Sequence, residues 1–410
     1  MMPRFLVAWM VSLIACAASA MAQLDKPLPQ ALTGEANRAY ESLLSPPPEP
    51  VFNMPSRVEN PLWFRAEALL SWSSPQNLPP LLTTSPPGTP RATAGILGTP
   101  GTDVVIGGDA KTSDRQGFSL GFGVQPFSDY SAGIEFGFSM LSRRDNVFQE
   151  SSDGSRILAQ PVDVAGNAVL LAYPGLSSGT FEARASSGNL YTANITLTDR
   201  IVNNSNFHLT VLAGYRRYDM QEELNLVQSL NGLDPLIFAP GTVIRTSDRF
   251  RTNGTFQGAD LGLRGEIVDG PFALEFLTRI AIGRLNRLVD IDGNTISTVP
   301  GAPPAVDRGG LLALVSNIGR YTSDSTQVMP EFGVVGKWQI SRRAELRLGY
   351  SAFLLQGVAR AADQIDPVIS PENLPFPPAG TVQNGPRPAF VLRTSDIWVQ
   401  QLSLGFTLGF

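Results

Sequence analysis

The sequence predicts an all-β fold: a closed, antiparallel, up-and-down transmembrane barrel of about ten strands, with eight to about twelve as the range, bearing long outer loops and short periplasmic turns. Three observations predict it. An export-type segment opens the chain, and no later apolar run is long enough for a membrane helix. Apolar and polar residues then alternate with period two in segment after segment. The connections between those segments alternate between a few residues and tens of residues.

The opening segment sets the compartment. Arg4 supplies a short positive region, and residues 5–15 (FLVAWMVSLIA) form an apolar run too short to span a bilayer as a helix. Ala20-Met21-Ala22 is an A-x-A cleavage site, which makes residues 1–22 a signal peptide and Gln23 the mature N-terminus. A rival signal overlaps it: Leu13-Ile14-Ala15-Cys16 fits a lipobox, in which Cys16 would be lipidated. Cys16 is the sole cysteine, so cleavage after Ala22 removes all thiol and disulfide chemistry. Residues 23–60 read as a periplasmic lead-in. Residues 35–44 suit a short helix, which Pro46-Pro47-Pro48-Glu49-Pro50 cannot continue; that stretch is a stiff extended linker. Residues 61–410 are the barrel.

Composition agrees. The chain is 43% hydrophobic with a mean hydropathy of +0.02, a pairing that suits half-apolar strands better than buried helices. Its 39 glycines and 33 prolines supply turns. A net charge of -5 without a basic tract excludes a nucleic-acid partner as the natural reading.

The strands follow in order. Phe64, Ala66, Ala68, Leu70 and Trp72 alternate with Arg65, Glu67 and Ser71. Phe118, Leu120, Phe122 and Val124 alternate with small residues, as do Ile134, Phe136, Phe138 and Met140. Tyr191, Ala193, Ile195 and Leu197 make the fourth set, and Phe207, Leu209, Val211, Ala213 and Tyr215 the fifth. Ala259, Leu261, Leu263 and Ile267 oppose Asp260, Arg264 and Glu266; Phe272, Leu274, Phe276, Ile280 and Ile282 oppose Glu275 and Arg279. Phe332, Val334, Trp338 and Ile340 oppose Glu331 and Lys337; Leu346, Leu348, Tyr350 and Leu354 oppose Glu345 and Arg347. The tenth set is Trp398, Leu402, Leu404, Phe406, Leu408 and Phe410. Leu212 and Leu277 break the rule on the polar face.

Alternation alone also fits a soluble sandwich. Against it stand the loop asymmetry and the placing of aromatics. Trp63 and Trp338, with Phe127, Tyr130, Phe207, Phe272 and Phe410, fall near the periplasmic ends, and Trp72 and Trp398 near the outer ends, as two interfacial girdles. The chain also stops on its last strand. Ser403-x-Gly405-x-x-Leu408-x-Phe410 resembles the C-terminal β-signal read by the barrel-assembly machinery, which is thus an expected partner beside outer-membrane lipid.

Lipid offers no hydrogen bonds, so the sheet must close and its mid-strand charges must turn inward. The expected lumen network is Arg65, Glu67, Glu135, Asp260, Arg264, Glu266, Glu275, Arg279, Glu331, Lys337, Glu345 and Arg347, with Arg216 beside them. Near-balanced signs predict pairing rather than a selectivity ring, and little or no open pore.

Signals for chemistry are thin. Gly117-Phe118-Ser119-Leu120-Gly121 matches G-x-S-x-G, but inside a continuous strand rather than at a strand-turn-helix elbow. His208 is the only histidine, expected in the lumen near the periplasmic end. Asp290-x-Asp292-Gly293-Asn294 lacks the spacing and closing Glu of a calcium loop and reads as a turn. No catalytic residue, metal site or cofactor is expected. The expected role is structural or surface-interacting, through the outer loops; a narrow small-solute channel is the alternative, and a lipid-modifying outer-membrane enzyme a remote one.

Several stretches together resemble one known family: NPLWFRAEALLSW (60–72), LPPLLTTSPPGTPRATAGILGTPGTDVVIGG (78–108), LAGYRRYDMQEEL (212–224), GGLLALVSNIGRY (309–321), DQIDPVISP (363–371) and the closing TSDIWVQQLSLGFTLGF. The chain resembles the outer-membrane β-barrel proteins expanded in planctomycetes. That resemblance implies outer-membrane location and no catalytic residue. The loops carry the functional expectation. Residues 78–108, rich in Pro and Gly with Arg91 as main charge, are expected to fold over or into the barrel mouth, or to stand as a passive surface loop. Apolar residues 309–321 are expected to tuck against the rim or to pack within a loop cap.

Overall fold

The computed structural model describes residues 60–110, 115–126, 131–162, 167–376 and 382–410. The signal peptide with Cys16, nearly all of the 23–60 lead-in, and Phe127 and Tyr130 lie outside them. In chain order, β1 (Leu62–Ser73) leads into β2 (Gln76–Ser85) and β3 (Asp103–Ala110), and β4 (Arg115–Val124) returns. Next, β5 (Ala132–Leu141) leads into β6 (Arg144–Ser152), β7 (Ile157–Pro161) and β8 (Ala168–Ala172), and β9 (Ser177–Asn203) returns. The remaining strands are β10 (Phe207–Gly232), β11 (Val243–Asp269), β12 (Phe272–Thr298), β13 (Ala305–Arg308), β14 (Gly319–Ser341), β15 (Ala344–Val358) and β16 (Ser395–Gly409).

Ten of these strands form a ring: β1, β4, β5, β9, β10, β11, β12, β14, β15 and β16, each antiparallel to its neighbours. The first and last strands pair from Trp63↔Gly409 to Ser73↔Val399, which leaves no open edge at the seam. Closure is what lipid demands, since an unpaired edge within it has nothing to bond. The short connections gather at one end. Residues 204–206 join β9 to β10, Gly270 and Pro271 join β11 to β12, and Arg342 and Arg343 join β14 to β15. Phe410 donates its backbone N–H to Leu62 O at this turn end. No helix among the described residues is long and apolar enough to cross a membrane.

Near the turn end the outward face is apolar. On β10 it carries Phe207, Leu209, Val211, Ala213 and Tyr215; on β12, Phe272, Leu274, Phe276, Ile280 and Ile282. A cation at mid-membrane on that face would cost roughly 2–4 kcal/mol, and the strands carry none there. On β16, twelve residues separate Trp398 from Phe410. At about 3.4 Å per residue and a tilt near 45° that is roughly 28 Å, close to the height of a lipid-facing band.

Beyond the band the five long strands reverse their sense. On β10 the outward residues become Arg217, Asp219, Gln221 and Glu223, while Tyr218, Met220, Leu224 and Leu226 turn inward and are buried. On β12 the outward residues become Arg284, Asn286, Asp290 and Asp292, while Leu285, Val289 and Ile291 are buried inside. A strand that meets lipid below and water above must exchange its faces in this way, because the apolar effect follows the solvent and not the strand.

The loops close over this upper wall. Strands β3, β2, β7 and β8 form a separate four-stranded sheet. Leu78, Leu81, Leu82, Ile106 and Leu158 from it join one core with Phe181, Leu224, Leu226 and Phe250 of the wall. Residues 78–108 therefore fold over the mouth, their two ends as sheet strands and residues 86–102 as the turns between them. Residues 309–321 pack within the cap: Leu312, Ala313 and Leu314 belong to the same core. The Asp290–Asn294 motif is no turn; it lies in the loop-end part of β12, paired with β11.

Candidate functional site: the filled lumen

All twelve charges expected in the lumen take part in ion pairs. One cluster runs through nine of them. Arg264 holds Glu135 by two bonds of 2.6 Å and approaches Glu275 at 3.8 Å. Lys337 bridges Glu275 at 2.6 Å and Glu266 at 3.4 Å. Arg347 reaches Glu67 at 3.3 Å, Glu275 at 3.5 Å and Glu345 at 3.2 Å, and Arg65 meets Glu67 at 3.7 Å. A second cluster is smaller: Arg216 with Asp260 at 3.3 Å and Glu331 at 2.5 Å, and Arg279 with Asp260 at 3.0 Å. Arg65–Glu67 and Arg347–Glu345 pair within one strand, and the other pairs join different strands and so tie the wall across its interior. Isolated buried charges of this kind would be costly, and the paired geometry is what keeps the layer tolerable.

Two cavities flank the layer. One, about 150 Å³, lies toward the turn end beside Trp63, Gln125, Arg200 and Arg343. The other, about 180 Å³, lies beside Ser119, Tyr218, Met329 and Phe353. Arg65, Glu135, Arg264, Glu275 and Arg347 line both, so the charged layer is the partition between them.

Above the second cavity lies an apolar septum. Leu69, Leu141, Leu190, Tyr218, Met220, Phe256, Leu285, Met329, Leu355, Ile397 and Val399 are buried against one another, drawn from nine of the ten ring strands. Tyr218 and Phe256 stack at 5.2 Å in its midst. Sequence reasoning missed this layer. Its signal was present on β10 as the inward alternation that begins with Tyr218 and Met220 and continues into the capping core with Leu224 and Leu226, apolar where the inward residues of the segment before it are mostly polar.

The cap is latched by two buried acids. Glu222 on β10 pairs with Arg360 at 3.0 Å, and Arg360 donates to the carbonyls of Ser74 and Pro75, so one pair joins three segments. Asp248 on β11 accepts backbone N–H bonds from Leu311, Leu312 and Ala313 at 2.7–3.0 Å. Burial pushes the Asp248 carboxyl up to about 6, against those three donors, which pull it down.

The aromatic residues divide. Trp338 and Phe410 are exposed at the turn end, with Trp338 stacked on Phe272 at 6.1 Å. Trp398 is exposed toward the loop end, and Trp72 lies 6.4 Å from Tyr350. Trp63 does not belong to the lipid-facing girdle. It shares the inward parity of Arg65, whose guanidinium sits 5.4 Å from its ring, and lines the turn-end cavity. Gly123 makes room for it: a Cβ there would fall 2.2 Å from the indole. Of the β-signal residues, Ser403, Gly405 and Leu408 pair with both β1 and β15. Ser119 lies on β4 and His208 on β10, strands separated by β5 and β9. Among the described residues no group of three acids, histidines or cysteines could hold a metal.

A family model described as "Putative beta barrel porin-7 (BBP7)" matches residues 63–410. The chain belongs to this family. It is an outer-membrane β-barrel. No curated protein sequence matches it. Among solved structures it is similar to the outer membrane protease OmpT from Escherichia coli, at 12% identity over 86% of this chain and 97% of that one, with a TM-score of 0.40. It is also similar to the attachment invasion locus protein Ail of Yersinia pestis (9% identity, 86% and 99% covered, TM-score 0.22). A third is the translocator domain of the autotransporter NalP from Neisseria meningitidis (8%, 92% and 95%, TM-score 0.20).

Proposed function

We propose that this member of the family is a sealed barrel that anchors a folded cap at the cell surface, with a structural or surface-interaction role. It is neither an open diffusion channel nor an enzyme. One observation carries the reading: along the barrel axis a charged layer, an apolar septum and a capping core follow one another. A solute crossing the lumen would have to break the Arg264–Glu135 and Lys337–Glu275 pairs and then part the Tyr218–Phe256 stack. Buried pairs of that kind cost about 3–5 kcal/mol when one partner is left alone.

In this reading the loop end faces the exterior, the short turns face the periplasm, and the chain is exported by cleavage after Ala22. Ser403, Gly405, Leu408 and Phe410 are read by the assembly machinery. The Ser119 motif stays catalytically silent, since it lies within a strand and its strand does not adjoin that of His208. The narrow-channel alternative retains one point, the word porin in the family's description. Proteoliposome swelling in isosmotic sugars tests the choice. Swelling no faster than in protein-free vesicles is expected; rapid size-dependent swelling would favour the channel.

A further inference from the structure

The register of β10, β11, β12 and β14 brings a set of outward residues into rows. The last apolar row is Tyr215↔Ala259↔Ile282↔Val328. The next row toward the loop end is Arg217↔Gln257↔Arg284↔Thr326. The row above it is Asp219↔Thr255↔Asn286↔Asp324. Lipid-facing apolar surface, cations and carboxylates thus succeed one another over three rows of one wall.

We infer that these rows form a binding shelf for a membrane lipid whose headgroup carries both a phosphate and an amine. The order of the rows matches the order of groups in such a lipid: acyl chain, phosphate, ammonium. Arg217 and Arg284 stand two strand spacings apart, roughly 10 Å between their Cα atoms, a span that two arginine side chains close around one phosphate. Gln257 lies between them, and Tyr215 Oη donates to Gln257 Oε1 at 3.1 Å, which leaves the amide nitrogen to face the headgroup. Ala259 lies directly below, a low point between Tyr215 and Ile282 in which an acyl chain can run.

Both arginines already hold carboxylates. Arg217 bonds Asp219 at 2.8 and 3.1 Å, and Arg284 meets Asp324 at 3.0 Å. The side chains of that second pair are 61% and 53% exposed. Exposed pairs contribute little to stability, so they exchange readily for a phosphate. The two carboxylates then remain in the row above, where they repel a purely anionic headgroup and attract an ammonium. Continuity with the lipid-facing band identifies the occupant as a bilayer lipid rather than a soluble anion.

The test is retention of lipid by the detergent-extracted full-length protein, read by native mass spectrometry. Phosphatidylethanolamine should be retained at least fivefold over phosphatidylglycerol of the same chains. Arg217→Gln with Arg284→Gln should abolish that retention, and Asp219→Asn with Asp324→Asn should bring the two lipids level. Heat-dependent gel mobility verifies that each variant still forms the barrel. Equal retention of both lipids by the wild type, or retention unchanged in the arginine variant, means non-selective boundary lipid and overturns the shelf. Displacement of the lipid by millimolar inorganic phosphate would make it a free-anion site and overturn the lipid assignment.

Discussion

Arg347 on β15 and Glu67 on β1 belong to strands that do not pair with each other, yet their side chains meet at 3.3 Å above Gly405 on the strand between them. The three residues share one row of the ring, Glu67↔Gly405↔Arg347. A Cβ on Gly405 would lie 2.1 Å from Ala66 O and 2.6 Å from the Cα of Glu67. Gly405 thus clears the floor under the pair that spans the seam.

Gly405→Val should therefore weaken closure of the seam more than an equivalent change on a lipid-facing residue such as Leu404. Gel mobility without boiling reports this directly. The compact band should vanish at a temperature well below that of the wild type for Gly405→Val, and stay near it for Leu404→Val. Equal behaviour would remove the seam argument.

The Glu222–Arg360 latch yields a double-mutant prediction. Glu222→Ala leaves the Arg360 guanidinium buried with only carbonyl acceptors, at a cost of about 3–5 kcal/mol to cap stability. Glu222→Leu with Arg360→Leu should recover part of it: no charge is left buried, but the Gln76 amide, the Ala361 N–H and the Ser74 and Pro75 carbonyls lose their partners. Urea midpoints from pulse proteolysis of the cap would reveal the difference; a double variant as unstable as the single one would show that the latch is not a pair.

Asp248 sets a pH dependence of defined sign. The folded state raises its pKa to about 6, above the ordinary aspartate value, so the fold favours the protonated form. Its stabilising share is full below about pH 4 and is lost as pH rises through about 6, by up to about a hundredfold in the local opening equilibrium. Hydrogen-exchange protection at Leu311, Leu312 and Ala313 should be higher at pH 5 than at pH 7.5, after correction for intrinsic rates. Asp248→Asn should flatten the difference. A wild-type protection that rises with pH would contradict the assignment.

Much of the barrel was legible in the sequence because period-two alternation has one meaning per strand: with lipid outside, parity decides which residues point where. That is why all ten ring strands, and Arg264, Glu135, Lys337 and Glu275 as inward residues, could be read from spacing alone. Trp63 obeys the same rule: its odd position matches Arg65, and that parity outweighs the interfacial preference of an aromatic near a strand end. The cap was hidden for a different reason. Beyond Tyr215 the strand continues, but its solvent changes, so Tyr218 and Leu224 carry an inverted pattern that a single period cannot register. Glu222 with Arg360, and Asp248 with the backbone of residues 311–313, join points far apart in the chain, and no local spacing announces them.

A lumen sealed by stacked layers, as proposed, is tested most directly by single-channel recording in planar bilayers. The wild-type protein should give no stable conductance steps, and Tyr218→Gly with Phe256→Gly, which empties the middle of the septum, should at most introduce brief flickering because the charged layer still stands. Large, long-lived steps from the wild-type protein would contradict the account.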